Sequence, residues 1–278
     1  MRIFPLSDLH GDVGYKASNN HPYSKVFMKR YWSDFIGTDP ILFCACGDLG
    51  EGLNGVVWAE RMLSLFPNLQ ICYVPGNHEY YGRSIEDEQF DLSLVSATSD
   101  RLYILDGITN SAITIHENDK RVCTVVGGTL WTDFNKQNRT MMQEVQSGMM
   151  DYKRIYSGLK FRKITPERIL QEHYTTRKNI FKKIEKADKD IPVIVMTHHV
   201  PYTPKVITNA KSYGYYVDLT EDMNNLERVP EFWFSGHSHR SEVHRQEFTN
   251  GVCEYISNQI GYARELSSGF SLNVCIEV

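Results

Sequence analysis

Five short segments of this 278-residue chain hold residues of metal-binding and acid–base type at close spacing. They are Asp8 with His10, Asp48 after Gly47, Asn77 followed by His78, His198 followed by His199, and His237 with His239. An aspartate and an imidazole two residues apart at a strand end can point the same way, and His237 and His239 repeat that spacing. Such a mixed nitrogen and oxygen set suits Mn, Fe or Zn better than Ca or Mg. Asp48 adds a carboxylate able to bridge two ions, Asn77 a neutral carbonyl oxygen and His198 a further nitrogen. Seven ligands with one bridging allow four protein contacts per metal and leave positions for solvent and substrate. Taken singly each segment is ordinary: Gly-Asp after a strand is commonly an Asx turn, and Gly-His-Ser-His a solvated loop. Their joint occurrence, in order, is the signal.

The elements that position them read as strands. Ile3 to Leu6, Ile41 to Cys46, Ile71 to Val74, Pro192 to Met196 and Phe232 to Phe234 are short apolar runs, and each ends in one of the polar clusters. Short apolar runs bounded by turn residues predict buried strands. Amphipathic stretches at Val26 to Ile36 and Val56 to Phe66 predict helices between the first three. A longer helix is predicted to open at Thr165 and run to Ala187: Thr165 caps, Pro166 suits the first position and Glu167 favours the positive end of the dipole. Its apolar positions are Ile169, Tyr174, Phe181 and Ile184. Alternating strand and helix predicts an α/β layered fold, whose sites gather at the carboxyl ends of strands. Later strands at Val122 to Val126, Glu254 to Ser257 and Ser271 to Val278 lack intervening helices of similar length, which predicts a mixed second sheet. Because the five clusters span the chain and must meet in one crevice, residues 1–278 are expected to form one domain. A helical or loop insertion around 132–190 is expected to flank the site.

In this order, Asp8-Leu9-His10, Gly47-Asp48, Gly76-Asn77-His78-Glu79, Thr197-His198-His199 and Gly236-His237-Ser238-His239 resemble the calcineurin-like metallophosphoesterase superfamily. The resemblance covers Asp8 to His239 and implies a four-layer αββα sandwich of two mixed sheets flanked by helices. It implies a two-metal site at the sheet edge and a phosphate-ester substrate. One metal would take Asp8, His10, Asp48 and His239, and the other Asp48, Asn77, His198 and His237. His78 would be catalytic, not a ligand. Two divalent ions are expected, Mn²⁺ first, with Fe or Zn as alternatives. Two cations roughly 3.5–4 Å apart acidify a bridging water and clamp phosphoryl oxygens, while His78 assists the leaving oxygen. His199 is expected to hydrogen-bond behind the ligands. The superfamily's protein phosphatases carry G-D-x-x-D-R where this chain reads Gly47-Asp48-Leu49-Gly50-Glu51-Gly52. A phosphate-binding arginine is therefore missing, which tips the expectation toward phosphodiesters or small phosphorylated molecules; Glu51 is a candidate to orient His78.

Composition sets the outer bounds. With 41% hydrophobic and 23% charged residues and a mean hydropathy of -0.39, the chain is neither disordered nor collagen-like nor a coiled coil. No run approaches the roughly 18 apolar residues of a membrane span, and Met1 to His10 does not read as a signal peptide. Six cysteines without a C-x-x-C pair read as buried apolar thiols in a reducing compartment, so a cytoplasmic location is expected. The net charge of -4 hides a segment, Asp151 to Lys189, with 12 Lys/Arg against 5 Asp/Glu. That segment reads either as a solvated helix face or as a flank attracting nucleic acid. A nuclease is thus the alternative enzyme, and a non-catalytic metal-binding scaffold the alternative of another class. Gly127 to Trp131 reads as a crevice wall or a tight turn with a packed tryptophan. Tyr80, Tyr81, Tyr202 and the tyrosines of Pro201 to Tyr216 read as stacking groups or packing.

Overall fold

The computed structural model describes residues 1–11, 24–158, 162–207, 209–262, 265 and 268–278. Asp12, at the end of the first polar cluster, and Lys160, in the basic segment, lie outside the described residues. In the first sheet β1 (Arg2–Leu6), β2 (Ile41–Ala45), β3 (Leu69–Tyr73) and β4 (Leu102–Ile104) run parallel. The second sheet takes β5 (Ala112–Glu117) and β6 (Lys120–Gly128) from the middle of the chain. A small antiparallel pair, β7 (Tyr156–Ser157) and β8 (Arg162–Lys163), stands apart. The second sheet is completed by β9 (Val193–Thr197), β10 (Phe232–Ser235), β11 (Glu242–Phe248) and β12 (Gly251–Ser257), and β13 (Ile276–Glu277) returns antiparallel to β1. Sheet orders are β13-β1-β2-β3-β4 and β11-β12-β10-β9-β6-β5. In the second sheet β6, β9, β10 and β12 are parallel and the two edges antiparallel.

Side-chain alternation makes four layers. Leu42 and Cys44 of β2 and Cys72 of β3 meet Cys123, Val125, Ile194, Met196 and Phe234 between the sheets. The alternate residues Ile41, Phe43 and Ala45 face outward onto α1 (Lys25–Ile36) and α2 (Asn54–Leu65), against Trp32, Trp58 and Met62. A strand covered on both faces has no polar position, which is why β2 and β9 read as continuous apolar runs. The result is the αββα sandwich of two mixed sheets. Five cysteines are buried, one is partly buried, and all six are free thiols.

Of five further helices among the described residues, two pack on the second sheet, one packs against β4 and two adjoin the site. α3 is Ile85–Ser96, α4 Arg139–Gly148, α5 Asp151–Arg154, α6 Pro166–Lys186 and α7 Thr220–Asn225. Ile180 and Ile184 of α6 and Met223 of α7 cover Val126, Val195 and Trp233. The Thr165 hydroxyl caps α6 by accepting from Arg168 N, with Pro166 in the first turn. Its buried stripe is Ile169, His173, Thr176, Ile180 and Ile184, whereas Tyr174 is exposed. A stripe read from apolar residues alone goes astray here because His173 and Thr176 hold the inward positions. Between β6 and α6 the chain leaves both sheets: Phe134 to Gln137 form a single left-handed turn with φ of 54–62°, then α4 and α5 follow. Phe134, Val145, Tyr152 and Ile155 bury with Tyr80, Tyr81 and Trp131 in their own apolar cluster.

The last strand is shorter than its sequence suggests. Only Arg2 and Ile3 pair with β13, because the rest of that β1 edge is already taken. Asn258 Nδ2 donates to Pro5 O and to Ser271 O, each at 3.0 Å, and Ser7 pairs with Gln259.

Candidate active site

Every predicted site residue follows a parallel strand at its carboxyl end, so the loops open on one edge of the sandwich. Asp8 and His10 follow β1, Asp48 follows β2, Asn77 and His78 follow β3, His198 follows β9, and His237 and His239 follow β10. The loops are tightly turned: Asp8, His10, Asp48, His237 and His239 have φ of 56°, 43°, 53°, 69° and 52°. A left-handed backbone costs a non-glycine residue about 1–2 kcal/mol, so the surroundings must hold it. Asp8 N donates to Gly47 O and His10 N to Asp48 O, both at 3.0 Å, and His237 N donates to Asp8 Oδ2 at 3.0 Å. Glu79 ties the second and third loops together. Its carboxylate accepts from Asp48 N, Leu49 N and Gly50 N, from Gly76 N at 2.7 Å and from Tyr73 Oη at 2.7 Å. Burial, and then the Asp48 charge, push Glu79 up to about 8 against the pull of these donors. Glycine is required where the loops touch: a Cβ on Gly76 would lie 2.2 Å from Asp48 Oδ1, and one on Gly47 2.6 Å from Gly76 N.

Within this frame the donor atoms form overlapping groups. Asp8, His10 and His239 make one; His10, Asp48 and His78 a second; Asp48, His198 and His237 a third, each with its ligand atoms within 4.8 Å of one another. His10 Nε2 and His239 Nε2 face each other at 3.0 Å, with Asp8 Oδ1 3.4 Å from His239 Nε2. On the other side His198 Nε2 lies 2.9 Å from Asn77 Oδ1, 3.1 Å from His237 Nδ1 and 3.4 Å from Asp48 Oδ1. His198 Nδ1 is engaged by Cys46 O at 2.8 Å, which leaves Nε2 for the cluster.

The field of this cluster is that of a cation site. Burial alone would raise the Asp8 and Asp48 pKa values, yet the charges of His239 and His198 hold Asp8 low, and those of His198 and His78 hold Asp48 well below the carboxylate range. Against burial, Asp48 raises His198 to about 10, and Asp8 with Glu265 raise His239 to about 9. Buried carboxylates that draw protons onto two imidazoles would equally draw divalent cations. Burial instead lowers His10 to about 4 and His237 well below the usual value, keeping them neutral and able to donate lone pairs. The residues present therefore fit two metal ions of the Mn, Fe or Zn class.

His78, grouped with His10 and Asp48, sits at the cavity edge of the cluster. Its backbone N–H donates to Asp48 Oδ1 at 2.9 Å, and its Nε2 lies 3.8 Å from Asp48 Oδ2 and 3.2 Å from Tyr262 Oη. A cavity of about 310 Å³ opens here, lined by Asp48, Asn77, His78, His237 and His239, with Tyr81, Asp151, Tyr215, Tyr262 and Glu265 around them. His199 turns behind the cluster: its ring packs 4.4 Å from that of His237, and its Nδ1 faces Thr129 O at 3.3 Å. Trp131 packs on Tyr80 and His199 as part of the core. Tyr202 packs on Tyr255 and His244, while Tyr81 and Tyr215 reach the cavity. Glu51 forms a two-point ion pair with Arg154 of α5. Lys178, Lys182, Lys183 and Lys186 are exposed on α6, and no Lys or Arg is among the described residues lining the cavity.

Sequence reasoning missed Asp151, Tyr262 and Glu265. Asp151 lies in a stretch that reads as basic, and Tyr262 and Glu265 follow β12 without any motif. Glu79 was visible beside His78, but its partners Asp48, Leu49, Gly50 and Tyr73 come from other loops.

A family model for calcineurin-like phosphoesterases matches residues 1–241. The chain belongs to this family. This calcineurin-like phosphoesterase is a metal-dependent hydrolase, of a family that acts on phosphate esters and works with a dinuclear centre. An uncharacterized protein of Acanthamoeba polyphaga mimivirus is 26% identical over 262 residues, covering 87% of this chain and 86% of that one. The crystal structure of phosphopantetheinyl hydrolase (PptH) from Mycobacterium tuberculosis is similar in fold, with a TM-score of 0.66 at 15% identity, covering 96% of this chain and 93% of that one. Among the described residues no helix is long and apolar enough to cross a membrane.

Proposed function

We propose that this phosphoesterase hydrolyses a phosphodiester or a small phosphorylated molecule at a two-metal centre, with His78 assisting the leaving group. The observation that carries this reading is the position of Asp48, shared between the group with His10 and His78 and the group with His198 and His237. Asp8, His10, Asp48 and His239 would hold one ion, and Asp48, Asn77, His198 and His237 the other. When bound, the ions would supply Lewis acidity toward the phosphoryl oxygens and a nucleophile derived from water. The chain's own residues do the rest. Asp48 fixes the backbone of His78, so the imidazole is held at the cavity edge where an ester oxygen departs. A protonated His78 donates to that oxygen as charge develops on it. Tyr262 Oη beside Nε2 offers a second donor at the same place.

Several features favour a small substrate. The cavity is about 310 Å³ and is walled by Tyr81, Tyr215 and Tyr262, and Gly52 stands where the protein phosphatases carry arginine. Mn²⁺ is the metal we expect first. The whole chain is read as one domain whose insertion around 132–190 flanks the site, and the free, mostly buried cysteines support a reducing, cytoplasmic setting. The test is a panel with Mn²⁺, Fe²⁺ and Zn²⁺: an aryl monoester, an aryl diester, a cyclic nucleotide, single-stranded DNA and a phosphopantetheinyl ester. Hydrolysis of a small ester, lost in His78→Ala and Asp48→Asn, supports the proposal. Turnover of single-stranded DNA alone, lost in Lys182/Lys183→Glu, would establish the nuclease instead, and no turnover of any substrate the scaffold.

A further inference from the structure

Asn77 differs from the other proposed ligands in having two chemically distinct ends, only one of which can face a metal. What turns it is a carboxylate from a distant part of the chain. Asn77 Nδ2 donates to Asp151 Oδ1 at 2.8 Å, across 74 residues of sequence. Tyr81 Oη donates to the same oxygen at 2.8 Å and accepts from Asn77 Nδ2 at 3.2 Å, closing a triangle. An ionised carboxylate has no proton to give, so the amide must turn its NH₂ toward Asp151 and its oxygen away. That oxygen then lies 2.9 Å from His198 Nε2, inside the ligand cluster.

The element that carries Asp151 is tied to both ligand loops. Tyr152 and Ile155 bury in the cluster that holds Tyr80 and Tyr81, just after Asn77. Gly82 N donates to Arg154 O at 2.8 Å, and Arg154 pairs at two points with Glu51, three residues after Asp48. Asp151 itself is 4% exposed. A buried carboxylate needs partners to be tolerated, and both of its hydrogen bonds here serve the Asn77 triangle.

We propose that Asp151 is the positioning residue for Asn77, and that α5 thereby sets the affinity of the metal position formed by Asp48, Asn77, His198 and His237. This rests on the two-metal reading above. Groups that orient metal ligands are commonly worth 10–100-fold in affinity.

The test is calorimetric titration of metal-free protein with Mn²⁺, with ion content by elemental analysis and the coupling between ions by electron paramagnetic resonance. Wild-type protein should take up two ions per chain and show a coupled pair. Asp151→Ala should keep one ion at wild-type affinity and bind the other roughly 10–100-fold more weakly, with the coupled signal replaced by an isolated ion at limiting Mn²⁺. Asp151→Asn should restore the second ion, because its amide oxygen can still accept from Asn77 Nδ2. Asp151→Val removes the acceptor without leaving a cavity the size of the lost carboxylate, so a second variant without the carboxylate is in hand if Asp151→Ala does not fold. Wild-type affinity for both ions in either folded variant, or equal weakening of both, overturns the assignment while leaving the two-metal reading intact. Wild-type protein taking up fewer than two ions overturns that reading and this inference with it.

Discussion

At His78 three observations meet: a backbone anchor to Asp48, a tyrosine hydroxyl against the ring nitrogen and a place on the cavity wall. None of them asks the imidazole to bind metal in the proposed assignment. His78→Ala should therefore retain both ions by elemental analysis while kcat falls by about 10²–10⁴-fold; unchanged kcat at full metal content would remove His78 from the mechanism. His173 gives a second prediction, on stability. Burial, its largest influence, depresses its pKa from 6.5 to about 4, with Nδ1 facing Leu130 O at 2.9 Å. The unfolded chain takes up a proton on this ring below 6.5, and the folded chain refuses it until about 4. Its contribution is thus complete above the unfolded value and is lost as the pH falls through that window, by on the order of 3 kcal/mol at most. Denaturant melts from pH 7 to 4 should show a shallower loss in His173→Gln than in wild type, and parallel curves would refute the assignment. The eight proposed site residues were legible because metal binding and proton transfer admit few side chains. Asp151 was not, since an aspartate among lysines carries no local mark of its partner.

The elements do their work through the loops that end them. β1, β2 and β3 run parallel, so Asp8, Asp48 and Asn77 emerge at one edge, and the loops then press together until only glycine fits at their contacts. Gly76→Ala would set a methyl 2.2 Å from Asp48 Oδ1. It should cost about 2 kcal/mol or more of stability, as overpacking does, and release metal at the same time. A coincident drop in denaturation midpoint and metal content checks this; a loss of stability with both ions retained would show that the loops can yield. The five strands that lead into the site and helices α1, α2 and α6 could be read from apolar runs and caps, whereas β4, β5, β11 and α3 carry no such clear run and were not. The left-handed turn at Phe134 to Gln137 could not, because four non-glycine residues at positive φ follow from tertiary packing and contradict local preference.

For the molecule as a whole, two layers of helix and two sheets converge on a cluster whose buried Asp8 and Asp48 draw positive charge onto His198 and His239 and would draw cations in the same way. Metal binding should therefore be linked to folding. At 100 times its dissociation constant, an ion that binds only the folded chain adds about 2.7 kcal/mol. Chelation should lower the melting temperature, Mn²⁺ should restore it, and Asp48→Asn should abolish the Mn²⁺ effect, since that carboxylate belongs to both proposed positions. A melting temperature indifferent to chelator and Mn²⁺ would argue against a resident metal pair. The basic segment shows what an average conceals: Lys178, Lys182, Lys183 and Lys186 form an exposed face of α6 apart from the described cavity lining.

Residue type and order along the chain were enough for the family and the αββα architecture, and for proposing the eight residues that the fold brings to one edge. Those depend on chemistry that few side chains can perform and on strands whose apolar runs announce them. Tertiary structure alone decided which way the Asn77 amide faces, that Glu79 gathers the second and third loops, and that Tyr262 and Glu265 stand over His78 and His239. Each of those is a hydrogen bond between segments remote in sequence. Its geometry is set by how the layers pack, and no local pattern encodes it.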